Sequence, residues 1–321
     1  MGLYDWSEAQ RMGDPPNPPI PIDRKRSEAM IYAVTGATGH LGRHVIAALL
    51  ETLPASCIAA LVRTPSKADD MAKKGVSIRE AEYDKPETLL PALAGVDKLL
   101  LVASSKLGGR VAQHKAVIDA AKQANVRLIA YTSVLRADTS ELAVAEEHRQ
   151  TEALLGASGI PFVLLRNGWY TENYTFALPS VLQHGVVLGS AGEGRIASAA
   201  RDDYAEAAAA VLTAKENQAR IYELAGDVPF TMAELAAEIS RQSGKRVVYR
   251  DMPEADYRAS LVNAGLPECN AASFARSSAA SRHGALFDDG HQLSSLIGRP
   301  TTSLHDVVSR ALGGLGQRND A

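Results

Sequence analysis

The stretch Ile31-Tyr-Ala-Val-Thr-Gly-Ala-Thr-Gly-His-Leu-Gly-Arg-His-Val-Ile46 decides how the rest of the chain is read. A short apolar run ends in three glycines and an amphipathic segment begins directly after them, which is the order strand, tight turn, helix. Such a turn leaves the backbone N–H groups of Thr38, Gly39, His40 and Leu41 pointing outward at a helix N-terminus. Unpaired amides and the positive end of the helix dipole favour an anion there, and the anion expected is a dinucleotide pyrophosphate. Gly36 permits the sharp turn, Gly39 lets phosphate approach the backbone without a Cβ in the way, and Gly42 lets the helix pack closely. Glycines also mark ordinary turns, so the flanking strand and helix patterns carry the nucleotide reading.

Downstream, the chain alternates in the rhythm of a doubly wound α/β fold. Strands are expected at residues 31–35, 57–62, 76–80, 98–102, 127–132 and 161–165, and helices at 43–51, 86–93, 111–124 and 141–157, with a short helix opened by Pro65. Right-handed crossovers make the strand order 3-2-1-4-5-6 the default Rossmann topology. The second half loosens into helices at 173–182, 201–214, 231–243 and 253–264, with short strands at 186–188, 221–224 and 247–249. This pattern predicts an NADP-binding Rossmann domain over 30–170 and a smaller α+β lobe over 171–321. The lobe is placed on the C-terminal edge of the sheet, where it supplies the substrate pocket, with room for some of its segments to return to the main sheet. Upstream, residues 1–29 read as a disordered proline-rich tail with no apolar signal core.

A net charge of −3 with both signs interspersed argues against a nucleic-acid face, and no polybasic patch or apolar span suggests membrane insertion. Two cysteines, Cys57 and Cys269, form neither a disulfide framework nor a metal cluster, so no metal is expected and a reducing cytoplasm fits.

Arg63 ends the second strand, where NAD enzymes place an acid on the ribose 2′-hydroxyl. A guanidinium instead pairs bidentately with a 2′-phosphate, which favours NADP(H) over NAD. Lys67 adds charge one helical turn on; the alternative is that Arg63 and Lys67 are both solvated surface cations. Asp84 either reaches the adenine amine or bonds the backbone before the Pro86 helix. Ala103, Ser104 and Ser105 are small enough for the cofactor to pass closely over the fourth strand. The fifth strand ends Tyr131-Thr-Ser-Val134, and in classical short-chain dehydrogenases a serine like Ser133 assists a Tyr-x-x-x-Lys pair on the next helix. No tyrosine here has a lysine four residues later; that helix offers His148 and Glu152 at the corresponding spacing. His148 is then either a proton donor near neutral pH or part of a solvated helix face. Trp169 and Tyr170 are core aromatics or pocket walls, and the pocket reading is preferred because a glycine turn precedes them. The catalytic candidates are thus Tyr170, Ser133 and His148.

Thr-Gly-Ala-Thr-Gly at 35–39, Ala-Leu-Val-Arg at 60–63, Tyr-Thr-Ser at 131–133 and Arg-Asn-Gly-Trp-Tyr at 166–170 together resemble the NmrA-like atypical short-chain dehydrogenase family, as does the G-x-x-G-x-x-G spacing. The resemblance covers residues 30 to about 312. It implies that Asn167, Gly168, Trp169, Tyr170, Thr171 and Glu172 border the nicotinamide end of the cofactor. Reducing a ketone creates a basic alkoxide that needs a positioned acid, whereas a quinone yields a far less basic hydroquinone anion. The expected activity is therefore hydride transfer from NADPH to a small-molecule quinone or similar conjugated acceptor. The alternative is an NADP-binding redox sensor that signals to a partner protein, and a homodimer is left open.

Overall fold

The computed structural model describes residues 30–216 and 220–319, so the proline-rich tail expected over 1–29 lies outside the described residues. Strands β1 (Tyr32–Thr35), β2 (Ile58–Val62), β3 (Ser77–Glu80), β4 (Lys98–Leu101), β5 (Leu128–Val134), β6 (Phe162–Asn167) and β8 (Ile221–Leu224) form one parallel sheet in the order β3-β2-β1-β4-β5-β6-β8. Strands β1, β2, β5 and β6 are buried along their whole length, as strands covered by helices on both faces must be.

One face is covered by the helices His40–Thr52 and Arg201–Thr213. Ala205, Ala207, Ala208 and Ala209 keep the second helix thin, so it packs close to Val45, Ile46 and Leu49 of the first. The other face is covered by the helices Arg110–Gln123 and Ala145–Ser158 through Val117, Ile118, Ala121 and Leu155.

The expected strand order is present, with one addition. The strand at 221–224 joins the main sheet, pairing parallel with β6 from Leu164↔Ile221 to Asn167↔Leu224. Its alternation reads as a small half-exposed sheet because it is an edge: Tyr222 and Leu224 are buried while Ile221 and Glu223 are half covered. Residues 201–224 thus return to the main body. β5 and β6 also run two residues further than expected, which carries Ser133 and Asn167 into the sheet.

The remaining lobe is built on a second, two-stranded parallel sheet, β7 (Val186–Gly189) with β9 (Val248–Asp251). A third core surrounds it, including Leu178, Val187, Phe230, Leu235, Ile239 and Val308. Helix Met232–Ser243 opens with a full capping box from Thr231 and Glu234. The helix expected over 173–182 is two, Glu172–Thr175 and Leu178–His184, with a proline in the first turn of the second, where a missing N–H costs nothing. Helices Glu268–Ser281, Gln292–Ile297 and Leu304–Asn319 go beyond expectation. The first buries only small residues, Ala271, Ala275, Ser277, Ala280 and Ser281, and so shows no large-apolar period.

Candidate active site

The glycine turn lies at the C-terminal end of β1. Gly36 has φ +58°, a left-handed conformation that favours glycine. A Cβ at Gly42 would stand 2.3 Å from the Gly36 carbonyl oxygen and 2.7 Å from Ala37 Cα, so close helix packing here means packing on the turn itself. Gly39 is exposed and precedes the first residue of the helix, and its own amide bonds the Gly36 carbonyl at 2.8 Å. No side chain caps this helix and its first turn holds no acid, so the leading amides are left for an external anion. Thr38 is half-buried, His40 is exposed, and Leu41 turns its side chain into the core.

Arg63 is exposed at the end of β2 and makes no hydrogen bond or ion pair among the described residues, though its charge is felt by Asp84. Lys67 is also exposed, and its carbonyl accepts from the Arg43 guanidinium at 2.6 Å, tying the glycine helix to the turn beyond β2. Asp84 is engaged by Lys106 at 2.9 and 3.1 Å, and this contact holds its carboxyl below the usual range.

The loop after β4 is bound differently. The Val102 amide donates to Thr35 Oγ1 at 2.9 Å, the Ala103 amide to Thr132 Oγ1 at 2.8 Å, and the Ser104 amide to His114 Nε2 at 2.9 Å. The Ser104 carbonyl accepts from Arg110 Nε at 2.7 Å, and its hydroxyl donates to Gln113 Oε1. Ser105 is exposed. Three successive amides are thus used internally, and the loop presents small side chains rather than free donors.

Beneath it, Ser133 and His148 have fixed partners. His148 is buried, 6% exposed, with Nδ1 2.7 Å from the Tyr131 hydroxyl. Burial pushes its pKa well below the ordinary 6.5, helped by the charge of Arg110. The solvated-face reading is therefore corrected: the 145–158 helix turns His148, Thr151 and Glu152 toward the sheet and its charged neighbours Glu146 and Arg149 outward. A polar residue on an inward face defeats a periodicity argument built on apolar ones. Ser133 Oγ donates to Glu152 Oε1 at 2.5 Å, and both Glu152 oxygens accept from Arg166 at 2.8 and 3.1 Å. Arg166 also meets Glu223 at 2.8 Å and Asp138 at 3.2 Å. Ser133 and Glu152 are thus held in a buried ion cluster with Arg166, and His148 is held on Tyr131.

The segment after β6 separates by environment. Gly168 is buried, and a Cβ there would lie 2.9 Å from the Tyr204 hydroxyl, so it serves close packing. Thr171 is buried on Ser198 at 2.8 Å. Glu172 accepts the first amide of the 201–213 helix, from Arg201, at 3.0 and 3.2 Å. The Arg201 guanidinium bonds Asn173 at 2.8 Å and lies over the Tyr170 ring at 4.9 Å. Burial raises the Tyr170 pKa, opposed by the Asn167 side chain and then by the charge of Arg201. Asn167 Oδ1 is buried without a hydrogen-bond partner among the described residues. Half-buried Trp169 meets Phe274 edge-on at 6.4 Å, and Phe274 stands 41% exposed on the 268–281 helix. Sequence reading missed Phe274, Arg201, Arg110, Gln113 and His114; none lies in a motif, and only the fold brings them to these loops.

An uncapped helix behind a glycine turn, an exposed arginine at the end of β2 and an orphaned acceptor at the end of β6 lie where open Rossmann sheets bind dinucleotides, beside the reversal of strand order. The NAD(P)H-binding family matches residues 36–215, and the chain belongs to this NmrA-like family. It is 52% identical over 279 residues to quinone oxidoreductase 2 of Escherichia coli (strain K12), covering 87% of this chain and 98% of that protein. The crystal structure of the NADPH-dependent quinone oxidoreductase from Escherichia coli complexed with NADPH matches with TM-score 0.86 at 51% identity, over 88% of this chain and 100% of that one. Citrobacter sp. triphenylmethane reductase complexed with NADP(H) matches with TM-score 0.82 at 37% identity, over 87% of this chain and 99% of that one. An NmrA-like family domain-containing oxidoreductase of Aspergillus flavus is 32% identical over 228 residues, 69% of this chain and 74% of that protein.

Proposed function

We propose that this chain reduces quinones or related conjugated acceptors with NADPH. The observation that carries the reading is the locked state of the dehydrogenase positions: Ser133 is bonded to Glu152, and His148 is buried and neutral. A reaction that must protonate an alkoxide has no donor there, whereas reduction of a quinone needs only a bound and oriented pair of reactants. The resemblance to Escherichia coli quinone oxidoreductase 2 across nearly its whole length supports the same substrate class.

The free amides after Gly39 take the pyrophosphate, Arg63 the 2′-phosphate, and the small residues Ala103 to Ser105 the path of the nicotinamide ribose. Asn167 Oδ1 offers an unspent acceptor to the nicotinamide end. Bound NADPH supplies the hydride. Trp169 and Tyr170, with Phe274 reaching in from the 171–321 part, form an aromatic wall that excludes water and aligns a flat acceptor. The setting expected is the cytoplasm.

Steady-state oxidation of NADPH with 1,4-benzoquinone and 1,4-naphthoquinone tests the reading. Multiple turnovers support it. Tight NADPH binding with no turnover on either acceptor, or on a triphenylmethane dye, would favour the redox-sensor reading instead.

A further inference from the structure

Three side chains of the 110–123 helix converge on one residue of the loop after β4. We infer that Arg110, Gln113 and His114 are positioning residues that set the conformation of Ser104, and that the His114 Nε2 contact decides how well the loop receives NADPH. The inference rests on the reading of residues 103–105 as cofactor-binding.

Arg110, Gln113 and His114 lie at i, i+3 and i+4, one stripe of the helix, and are 6%, 7% and 0% exposed. They take the carbonyl, the hydroxyl and the amide of Ser104, respectively. With one residue's donor, acceptor and side chain all held, its orientation is fixed. Burying a guanidinium, an amide and an imidazole against a sheet is an expensive way to stabilise a fold, since apolar residues of similar size usually do it as well or better. A requirement for one loop conformation accounts for them.

The imidazole is suited to this task in detail. The Ser104 amide can only donate, so Nε2 must carry a lone pair and the ring proton belongs on Nδ1. There it meets Thr151 Oγ1 at 2.9 Å, and that hydroxyl passes its own proton to the Glu147 carbonyl at 2.9 Å. Burial, followed by the charge of Arg110, pushes the His114 pKa down to about 3, so the acceptor persists wherever the protein is folded. With Thr35 and Thr132 holding the two preceding amides, the loop hangs from three different elements.

The test uses the two amides that imitate the two ring nitrogens. In His114→Gln the side-chain oxygen reaches the place of Nε2; in His114→Asn it reaches only the place of Nδ1. His114→Gln is expected to keep the KM and Kd for NADPH within about threefold of the parent. His114→Asn and His114→Ala should raise both by roughly ten- to a hundredfold, the range for losing a buried hydrogen bond, while the KM for quinone barely moves. Equal behaviour of Gln and Asn overturns the inference. Ala103→Leu separates the two readings: if it leaves NADPH affinity unchanged, the loop does not meet the cofactor and both fall. If it weakens NADPH while His114→Asn behaves like the parent, only the positioning role falls. Nitrogen-15 NMR of the unmutated full chain at pH 7 should show the His114 ring protonated on Nδ1 and bare on Nε2. A proton on Nε2 overturns the assignment even if every variant misfolds.

Discussion

The two loops proposed to flank the cofactor, after β1 and after β4, use their backbones in opposite ways. The turn at Gly36–Gly39 leads into a helix with no capping side chain, so its donors are held for a ligand. The loop at Val102–Ser104 gives three successive amides to Thr35, Thr132 and His114. On the proposed reading the first recognises charge and the second recognises shape. The difference follows from what each faces, since a pyrophosphate needs donors and a neutral ribose and ring need a surface of defined contour.

Gly39→Val tests the first half of that contrast most severely. The added Cβ would lie 3.1 Å from the Gly36 carbonyl oxygen, close enough to need only a small backbone shift, so the protein should still fold. Its branches would occupy the phosphate position, and calorimetry should show NADPH affinity weakened by about a thousandfold or more. Normal affinity in the folded variant would remove the donors from the argument.

The second half of the contrast predicts a pH effect. His114 and His148 both have folded pKa values depressed below the ordinary 6.5. Their contribution to stability is complete above that value and is lost as pH falls through it, because the unfolded chain takes up protons that the folded protein refuses. At pH 5 the loss should approach about 2 kcal/mol for His114, and His148 adds to it in the same direction. Carboxylates with lowered pKa, such as Glu238 at about 2 and Asp251, give way only at lower pH, while Glu223, raised by burial, opposes the histidines as it takes up its proton. Urea midpoints that do not move between pH 7 and pH 5 would mean that the layer under the β4 loop accepts charge.

Arg63→Ala removes a side chain that makes no hydrogen bond or ion pair among the described residues and acts on Asp84 only through its charge. It should shrink the preference for NADPH over NADH by roughly ten- to a hundredfold, as expected for one charge-assisted contact. An unchanged ratio of the two dissociation constants would assign 2′-phosphate discrimination elsewhere. The smallest effect is expected from Ser133→Ala. Its hydroxyl serves the Glu152–Arg166 cluster, so the melting temperature should fall by several degrees while kcat stays within about threefold. A thousandfold loss of kcat with the fold intact would return Ser133 to catalysis.

The β1 strand, the glycine turn, the order of the first six strands and the family itself were all legible, because parallel strands are continuous apolar runs and the phosphate turn admits few residue types. The polar layer was not. Helices 110–123 and 145–158 bury Arg110, Gln113, His114, His148, Thr151 and Glu152, so the faces that matter most to the site look like solvent faces in a pattern of apolar spacing. The 268–281 helix escaped for a related reason, since alanine and serine fill its contact face. Phe274, on that helix, was out of reach with it.

The seventh strand bears on how the chain is made. β8 covers the outer edge of β6, yet it is synthesised only after the 172–175 and 178–184 helices, β7 and the whole 201–213 helix. During that interval a nascent chain has most of its sheet but shows an unpaired edge at Leu164 to Asn167, the kind of edge that recruits other strands. Translation past Leu224 closes it, so crowded or slowed synthesis between these two strands is the stage at which this enzyme is most exposed to aggregation.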